Sequence, residues 1–563
     1  MVTLDVSELN IVLGVLGTFI VCYGIISVKI KQQWYLGEAL PAMMIGIILG
    51  PVATRFIDSE RWASGEKGQT PEIALGVTRV MIGLQLVIAG YQLPAKYNLI
   101  RWKEMAMCLL PIMTIMWLST TLCILGTVPK VTLLAALVIG SAVTCTDPIL
   151  SQAIAKGPFA DKFVPRHLRE IISSEAGAND GFGFPFLMLA VFLIRHADVG
   201  EASKQGGGVA KAAVRMLFAR EEEVGRLGGG VGAAMKNWIL ETWFYTVLLA
   251  VIYGAVVGYG SCLAVKYSLR RKWIDTESYL LFPSALGMFI VGTCGAIGTD
   301  DLLACFVAGN ALNWDGEYLA ETERRHDEVN SCIDVLLNFG GFMFIGSIMP
   351  WSDFNDPNGT GITIGRLIGL GFLVLLFRRI PAILISYKLM PSVVKNYKEA
   401  LFMGYFGPIG AGAVFYVEHT RHLFPEAGKG DTEETDLVKA MIPVVYWLVF
   451  FSIVVHGLSI PALNAIYNYM GVQPIQDDPV EIRRRSSRAA TPPNAVTGSS
   501  RDTFIAYNRF SRPGSEAFSL PVVRDIPTSL NDYNYDKSSQ GSLPFQQFEQ
   551  APKRKAVPPS TYI

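Results

Sequence analysis

Apolar runs of about 20 residues, each long enough to cross a bilayer as a helix, recur along most of this 563-residue chain. Nothing else in it constrains the fold as much. Inside hydrocarbon every backbone N–H and C=O must find an internal partner, so a chain of this pattern is a bundle of membrane helices. With 51% of residues hydrophobic and 17% charged, a soluble fold would need several separate cores. The runs predict an all-α polytopic membrane protein of about thirteen spans, near residues 9–29, 36–56, 72–92, 105–127, 131–154, 170–194, 239–266, 278–298, 300–313, 331–349, 364–389, 397–417 and 438–468. No small-residue cleavage site follows the first run, which is expected to be a retained span.

Basic residues gather in the loops after odd-numbered spans, as in "KYNLIRWK", "KYSLRRK" and "KLMPSVVKNYK", whereas loops after even spans, such as "WSDFNDPNGTG", have few. By the positive-inside rule the odd loops are cytoplasmic, the N-terminus is outside and the C-terminus inside. Asn358, in the "NGT" sequon of an even loop, is a test of that orientation. The segment 195–238 is the exception, external by parity yet basic, and its "AKAAVRMLFAREEEV" has the pattern of an amphipathic surface helix. Net charge is zero, so no nucleic-acid partner is implied. Eight cysteines lie mostly within apolar runs, without metal spacing, and are expected to pack as small hydrophobes. The chain divides into a transmembrane domain, 1–475, and a Ser-, Pro- and Asn-rich segment, 476–563, expected to be a disordered cytoplasmic tail. Its "RRRSSR" suits anionic membrane lipid, or phosphorylation at Ser486 or Ser487.

Ionisable residues inside spans are costly unless they are paired or face a wet cavity, so they mark function. Asp147, Glu175, Asp180, Asp300, Asp301, Asp334, Arg378 and Arg379 qualify, with Glu418 and His456 in late spans. Asp300 and Asp301 are better explained by a loop between short helices, Glu418 by an exit from the membrane, and Arg79 by a local pair or snorkelling. Asp147 is followed by Pro148, which removes a backbone donor in mid-span and breaks the helix at "TCTDP". The freed carbonyls and the Asp147 carboxylate are hard oxygen ligands suited to an alkali cation. A second break is expected at "GYFGPIGAGAV", where Gly407, Pro408 and Gly410 cannot sustain a regular helix. One broken helix in each half points to an inverted-repeat secondary transporter with its site at the midplane.

These residues resemble a family. "TD" on one span, "E-x-x-x-ND" on the next, "GIILGP" in the second span and an arginine beside a proline late in the chain are similar to the CPA1-type cation/proton antiporters. The fuller "TCTDPILSQAIAKG", "GTDDLLACFVAGNALNWDG" and "FGPIGAGAVFY" resemble the fungal plasma-membrane alkali-metal cation (Na+, K+)/proton antiporters, over about residues 10–470. The resemblance implies a thirteen-helix homodimer with two crossing broken helices, a dimerisation domain and a moving core domain. It makes Asp180 the residue that binds cation and proton in turn, and gives Asp147, Thr146 and Asn179 to the same site, with Asp180 and Asp147 as the Na+ ligands. It pairs Glu175 with Arg379 as a structural ion pair. Many relatives carry a serine after that glutamate; here the position is Ala176.

On physical grounds, proton and cation compete for a carboxylate held out of water, and either occupant neutralises the site for movement past a hydrophobic barrier. Asn179 cannot titrate, so one proton per cation is expected. The implied function is secondary active transport of Na+, with Li+ and K+ as further substrates, at the plasma membrane; no cofactor and no enzymatic reaction are implied. A cation channel would also use broken helices and carboxylates, but no repeated filter segment is present. An intramembrane aspartyl protease would need a G-x-G-D pattern that is missing.

Overall fold

In the computed structural model the described residues are 7–62, 65, 68–156, 158–197, 226–325 and 329–472, with 480–483, 495–497 and 503–506. Among them nine helices are long and apolar enough to cross a membrane. The principal helices are α1 (Glu8–Val28), α2 (Ala39–Leu49), α3 (Thr70–Tyr91) and α4 (Trp102–Thr127), followed by α5 (Leu133–Ala142) and α6 (Pro148–Lys156). Next come α7 (Arg166–Gly181), α8 (Phe184–Arg195), α9 (Gly230–Arg271), α10 (Thr276–Ile297), α11 (Asp301–Leu312) and α12 (Val329–Ser347). The last are α13 (Ile364–Phe377), α14 (Ile380–Ser386), α15 (Tyr397–Tyr405), α16 (Ala411–Arg421) and the 39-residue α17 (Thr432–Met470). The amphipathic helix expected within 195–238 lies outside the described residues.

Several expected spans are not single rods. The second ends at Leu49 because Gly50 and Pro51 stop α2 after 11 residues. The fifth divides into α5 and α6, the twelfth into α15 and α16, and the sixth breaks between α7 and α8 at Phe182 and Gly183. Asp300 closes the loop between a long helix and a short one: its side chain accepts the Leu303 N–H at 3.0 Å and N-caps α11. Arg79 pairs with no neighbour in sequence; it forms an ion pair with Asp301 of α11, 222 residues away.

Short residues let backbones meet where side chains cannot supply a hydrophobic drive against lipid. A Cβ on Gly90 of α3 would stand 2.7 Å from the Phe306 carbonyl of α11, so the two main chains are in contact. Loops of like parity are neighbours. Those after odd spans meet one another, His167 with Glu399 and Lys162 with Tyr35. Those after even spans do the same, Lys130 with the Asn358 carbonyl, and Arg226 with Asp431 and Glu433.

The segment after 475, expected to lack structure, carries three short strands, Val480–Arg483, Ala495–Thr497 and Thr503–Ala506. The third pairs antiparallel with both others, Ile482 opposite Phe504 and Val496 opposite Ile505. Small β-branched and aromatic runs within a Ser- and Pro-rich stretch supply the pairing. Arg484, Arg485 and Arg488 lie outside the described residues, as does the remainder of the segment.

Candidate functional site

Two interrupted helices meet at Asp147. Between α5 and α6 the chain turns through Val143 to Thr146, and between α15 and α16 it runs irregularly from Phe406 to Gly410. The Asp147 N–H donates to the Pro408 carbonyl at 2.9 Å, joining the two breaks directly. The carboxylate then serves two helix starts: Oδ1 accepts from the Leu150 N–H of α6 at 3.0 Å, and Oδ2 from the Ala411 N–H of α16 at 2.6 Å. One negative charge thus satisfies orphan donors at the positive ends of two half-helices. Pro148 starts α6 where a missing N–H costs nothing. Gly410 has no side chain because the Asp147 carboxylate occupies the place of its Cβ.

The carbonyl ends of the same breaks have a partner of opposite sign. Arg378, buried at the end of α13, donates from Nη2 to the Thr144 and Cys145 carbonyls at 2.9 and 2.6 Å, and from Nη1 to the Gly407 carbonyl at 2.7 Å. Its fork reaches three acceptors that no N–H of a regular helix would serve.

Asn179 and Asp180 lie on α7 against this crossing. The Asn179 amide grips Thr146, its Oδ1 accepting from the Thr146 N–H at 3.1 Å and its Nδ2 donating to Oγ1 at 2.8 Å. Asp180 is fully buried, and neither carboxylate oxygen has a hydrogen-bond partner among the described residues. Gly412 of α16 makes the space: a Cβ there would stand 2.7 Å from Asp180 Oδ1. A carboxylate so placed is satisfied by a proton of its own or by a bound cation, and by no protein donor.

Glu175 and Arg379 form a forked ion pair, Nη1 to Oε1 at 2.6 Å and Nη2 to Oε2 at 2.7 Å. Both are buried, and Arg379 Nε also donates to the Met403 carbonyl at 2.9 Å. Five residues from Asp180, Glu175 is turned about 140° round the helix, so the pair binds α7 to the α13–α14 junction from a different face. Asp334, Glu418 and His456 have partners of their own. Asp334 accepts from Gln85 of α3 at 2.8 Å, and Glu418 from the Tyr446 hydroxyl at 2.7 Å. His456 faces the Tyr405 carbonyl at 3.0 Å, while Ser452, one turn earlier, accepts the Ile409 N–H at 2.7 Å, so α17 holds the second break from behind.

A model of the transmembrane sodium/hydrogen exchanger family matches residues 15–465. The chain belongs to that family. A Na(+)/H(+) antiporter 2 of Zygosaccharomyces rouxii is 33% identical to this chain over 82% of the chain and 53% of the relative. A Na(+)/H(+) antiporter of Saccharomyces cerevisiae is 34% identical over 82% of the chain and 44% of the relative. The chain therefore spans about half the length of these curated relatives. The sodium proton antiporter MjNhaP1 of Methanocaldococcus jannaschii superposes with a TM-score of 0.52 at 15% identity, covering 80% of this chain and all of that one, a likeness of fold.

Of the expected site residues, Thr146, Asp147, Asn179 and Pro408 are joined by hydrogen bonds, and Asp180 lies beside them, packed on Gly412. The sequence marked Arg378 only as an intramembrane charge and passed over Gly412 and Tyr416. The signal for Arg378 was the doubling of the arginine before Pro381, since one arginine accounts for Glu175 and the other needs a different acceptor.

Proposed function

We propose that this chain exchanges Na+ for protons across the plasma membrane by alternating access, with Asp180 binding cation and proton in turn. The observation that carries the reading is the Asp180 carboxylate, buried beside two crossed broken helices without a protein donor. An empty, charged Asp180 is expensive when buried without a donor, whereas a protonated or cation-loaded one is neutral. Only the neutral forms cross the barrier cheaply, and that couples the two fluxes. Thr146 and Asp147 line the site as oxygen ligands, Asn179 fixes Thr146, and Li+ and K+ are hard cations of the same class. With Asn179 unable to titrate, one proton moves per cation.

The Glu175–Arg379 pair anchors the ion-bearing helix within the core domain. We place the N-terminus outside and the C-terminus in the cytoplasm, and take the assembly to be a homodimer; the largely unpacked α1, with Leu9, Leu13, Val21 and Ile25 exposed, offers a face for it. The segment beyond 475 is placed as a cytoplasmic tail with anionic lipid as its partner.

The test is vesicle flux. Purified protein in proteoliposomes should take up Na+ when the lumen is acidic, and Asp180→Asn should abolish that uptake while folding normally. Cation current indifferent to the proton gradient would make the protein a channel, and coupled exchange by Asp180→Asn would remove Asp180 from its role.

A further inference from the structure

The span that carries Asp180 is itself opened one residue further on. α7 ends at Gly181, the chain turns through Phe182 and Gly183, and α8 resumes at Phe184. Pro185 has no N–H, so the Gly181 carbonyl four residues earlier cannot be served in the helical manner. Buried carbonyls at such a break need another donor. The donor present is Tyr416 of α16, whose hydroxyl donates to the Asp180 carbonyl at 2.6 Å and reaches the Gly181 carbonyl at 3.3 Å.

Tyr416 is fully buried, and its ring is fixed edge-on by Phe184 at 5.2 Å and Phe415 at 5.4 Å. Gly412 and Tyr416 are four residues apart and share one face of α16. That face addresses both ends of one residue. Gly412 leaves room for the Asp180 carboxylate, and Tyr416 holds the Asp180 main chain.

We propose that Tyr416 is a positioning residue for the exchange site: its hydroxyl, donating to the Asp180 carbonyl at the turn that Pro185 opens, fixes the main chain of Asp180 so that the carboxylate can stay free of protein partners. This rests on the exchange reading above. A carboxylate with no donor of its own has nothing at its tip to hold it in place, so its geometry is set from the backbone. When the clamp is lost, the proline-opened turn gains freedom that the cation must remove on binding. The cost therefore falls on cation affinity and leaves the neutral, loaded carrier's movement unchanged.

The experiment is the kinetics of Tyr416→Phe in proteoliposomes, beside the wild type and with melting curves of both proteins. The substitution keeps the ring and its aromatic neighbours and deletes only the hydroxyl. The apparent KM for Na+ should rise roughly three- to tenfold, the size of one buried hydrogen bond. The maximal rate should stay within about twofold of the wild type. An unchanged KM overturns the proposal, and so does a lowered melting temperature with an unchanged KM, which would make Tyr416 a packing residue. If Tyr416→Phe does not accumulate, Gly183→Ala serves, because its methyl would stand 2.6 Å from Tyr416 Cζ, 2.7 Å from its oxygen and 2.8 Å from Cys145 Sγ, pushing the end of the ring with its hydroxyl off the Asp180 carbonyl. The same rise in KM is expected, and an unchanged KM overturns the clamp. A wild type that exchanges no Na+ for protons brings down the exchange reading and this one with it; an active wild type with an unaffected variant brings down this one alone.

Discussion

Asp147 and Arg378 serve opposite electrical ends of one crossing: the carboxylate accepts the N–H groups that open α6 and α16, and the guanidinium donates to carbonyls left by α5 and α15. Broken helices expose four sets of unpaired backbone groups, two of each partial charge. Asp147 serves the N–H ends of both breaks, and Arg378 the carbonyl ends of both. Arg378→Met should therefore leave three buried carbonyls without a charged donor and lower both the melting temperature and the exchange rate, the rate by about tenfold or more. Arg378→Lys should recover only part of either, because an ammonium lacks the planar fork that spans the acceptors. Flux in proteoliposomes and melting in detergent test it, and a wild-type rate for Arg378→Met would show the crossing closes without this charge.

Glu175 and Arg379 should behave as a unit. Removing one partner leaves a buried, unpaired charge, a loss of about 3–5 kcal/mol, whereas removing both leaves none. Glu175→Gln and Arg379→Met should each destabilise strongly, and the double substitution should be less harmful than the sum of the two. A double-mutant cycle on denaturation free energies measures the coupling, and additivity within about 0.5 kcal/mol would show that the pair contributes nothing jointly.

The Asn179–Thr146 contact predicts a subtler defect. Thr146→Val keeps the shape but removes Oγ1, leaving the Asn179 Nδ2 without that acceptor in a buried site. The expected loss is about 1–3 kcal/mol in stability or in cation binding. Thr146→Ser, which keeps the oxygen, should behave like the wild type. Equal damage from both substitutions would show that the methyl packing matters and the hydroxyl does not.

How much of this was legible in the chain follows from what each residue depends on. The break at Asp147 is written locally, because proline removes its own N–H wherever the chain goes. The glycines around Pro408 are equally local, and the 20-residue apolar period needs no partner to be seen. The division of labour between Arg378 and Arg379 is not local. They are consecutive, yet Arg378 ends α13 and Arg379 is the N-cap of α14, so the junction sends one guanidinium to the crossing and the other to Glu175. Arg79 was misjudged for the same reason, its partner Asp301 being 222 residues distant. Tyr416 resembles any buried aromatic in sequence, and only its distance to the Asp180 carbonyl sets it apart. Runs such as "VEIR" and "TFIA" were lost within a polar stretch, since strand pairing depends on contacts between segments that composition does not show.

A last prediction concerns the loops after even spans, where Arg226 bridges Asp431 at 2.6 Å and Glu433 at 2.7 Å and donates to the Ile194 carbonyl at 2.9 Å. Asp431 also N-caps α17 in a capping box with Glu434. Partial burial pushes the Asp431 carboxyl up, but the Arg226 hydrogen bond and charge, with the cap N–H groups, outweigh it and hold the group below the ordinary carboxylate range. A carboxyl depressed in the folded state stabilises the fold above its unfolded value of about 4. That contribution disappears as pH falls through the folded value. Arg226→Gln should accordingly lower the melting temperature by about a degree at pH 7, the pair being partly solvated and worth about 1 kcal/mol at most. The difference from wild type should shrink in 1 M choline chloride, which screens without supplying a transported cation, and should shrink as pH falls below the ordinary carboxylate range. Transport should persist, since no proposed ligand touches this cluster. A gap between the two proteins that is the same at pH 7 and pH 3, and at low and high salt, would mean that Arg226 acts through its bond to the Ile194 carbonyl and its packing, and that the charge pairing is incidental.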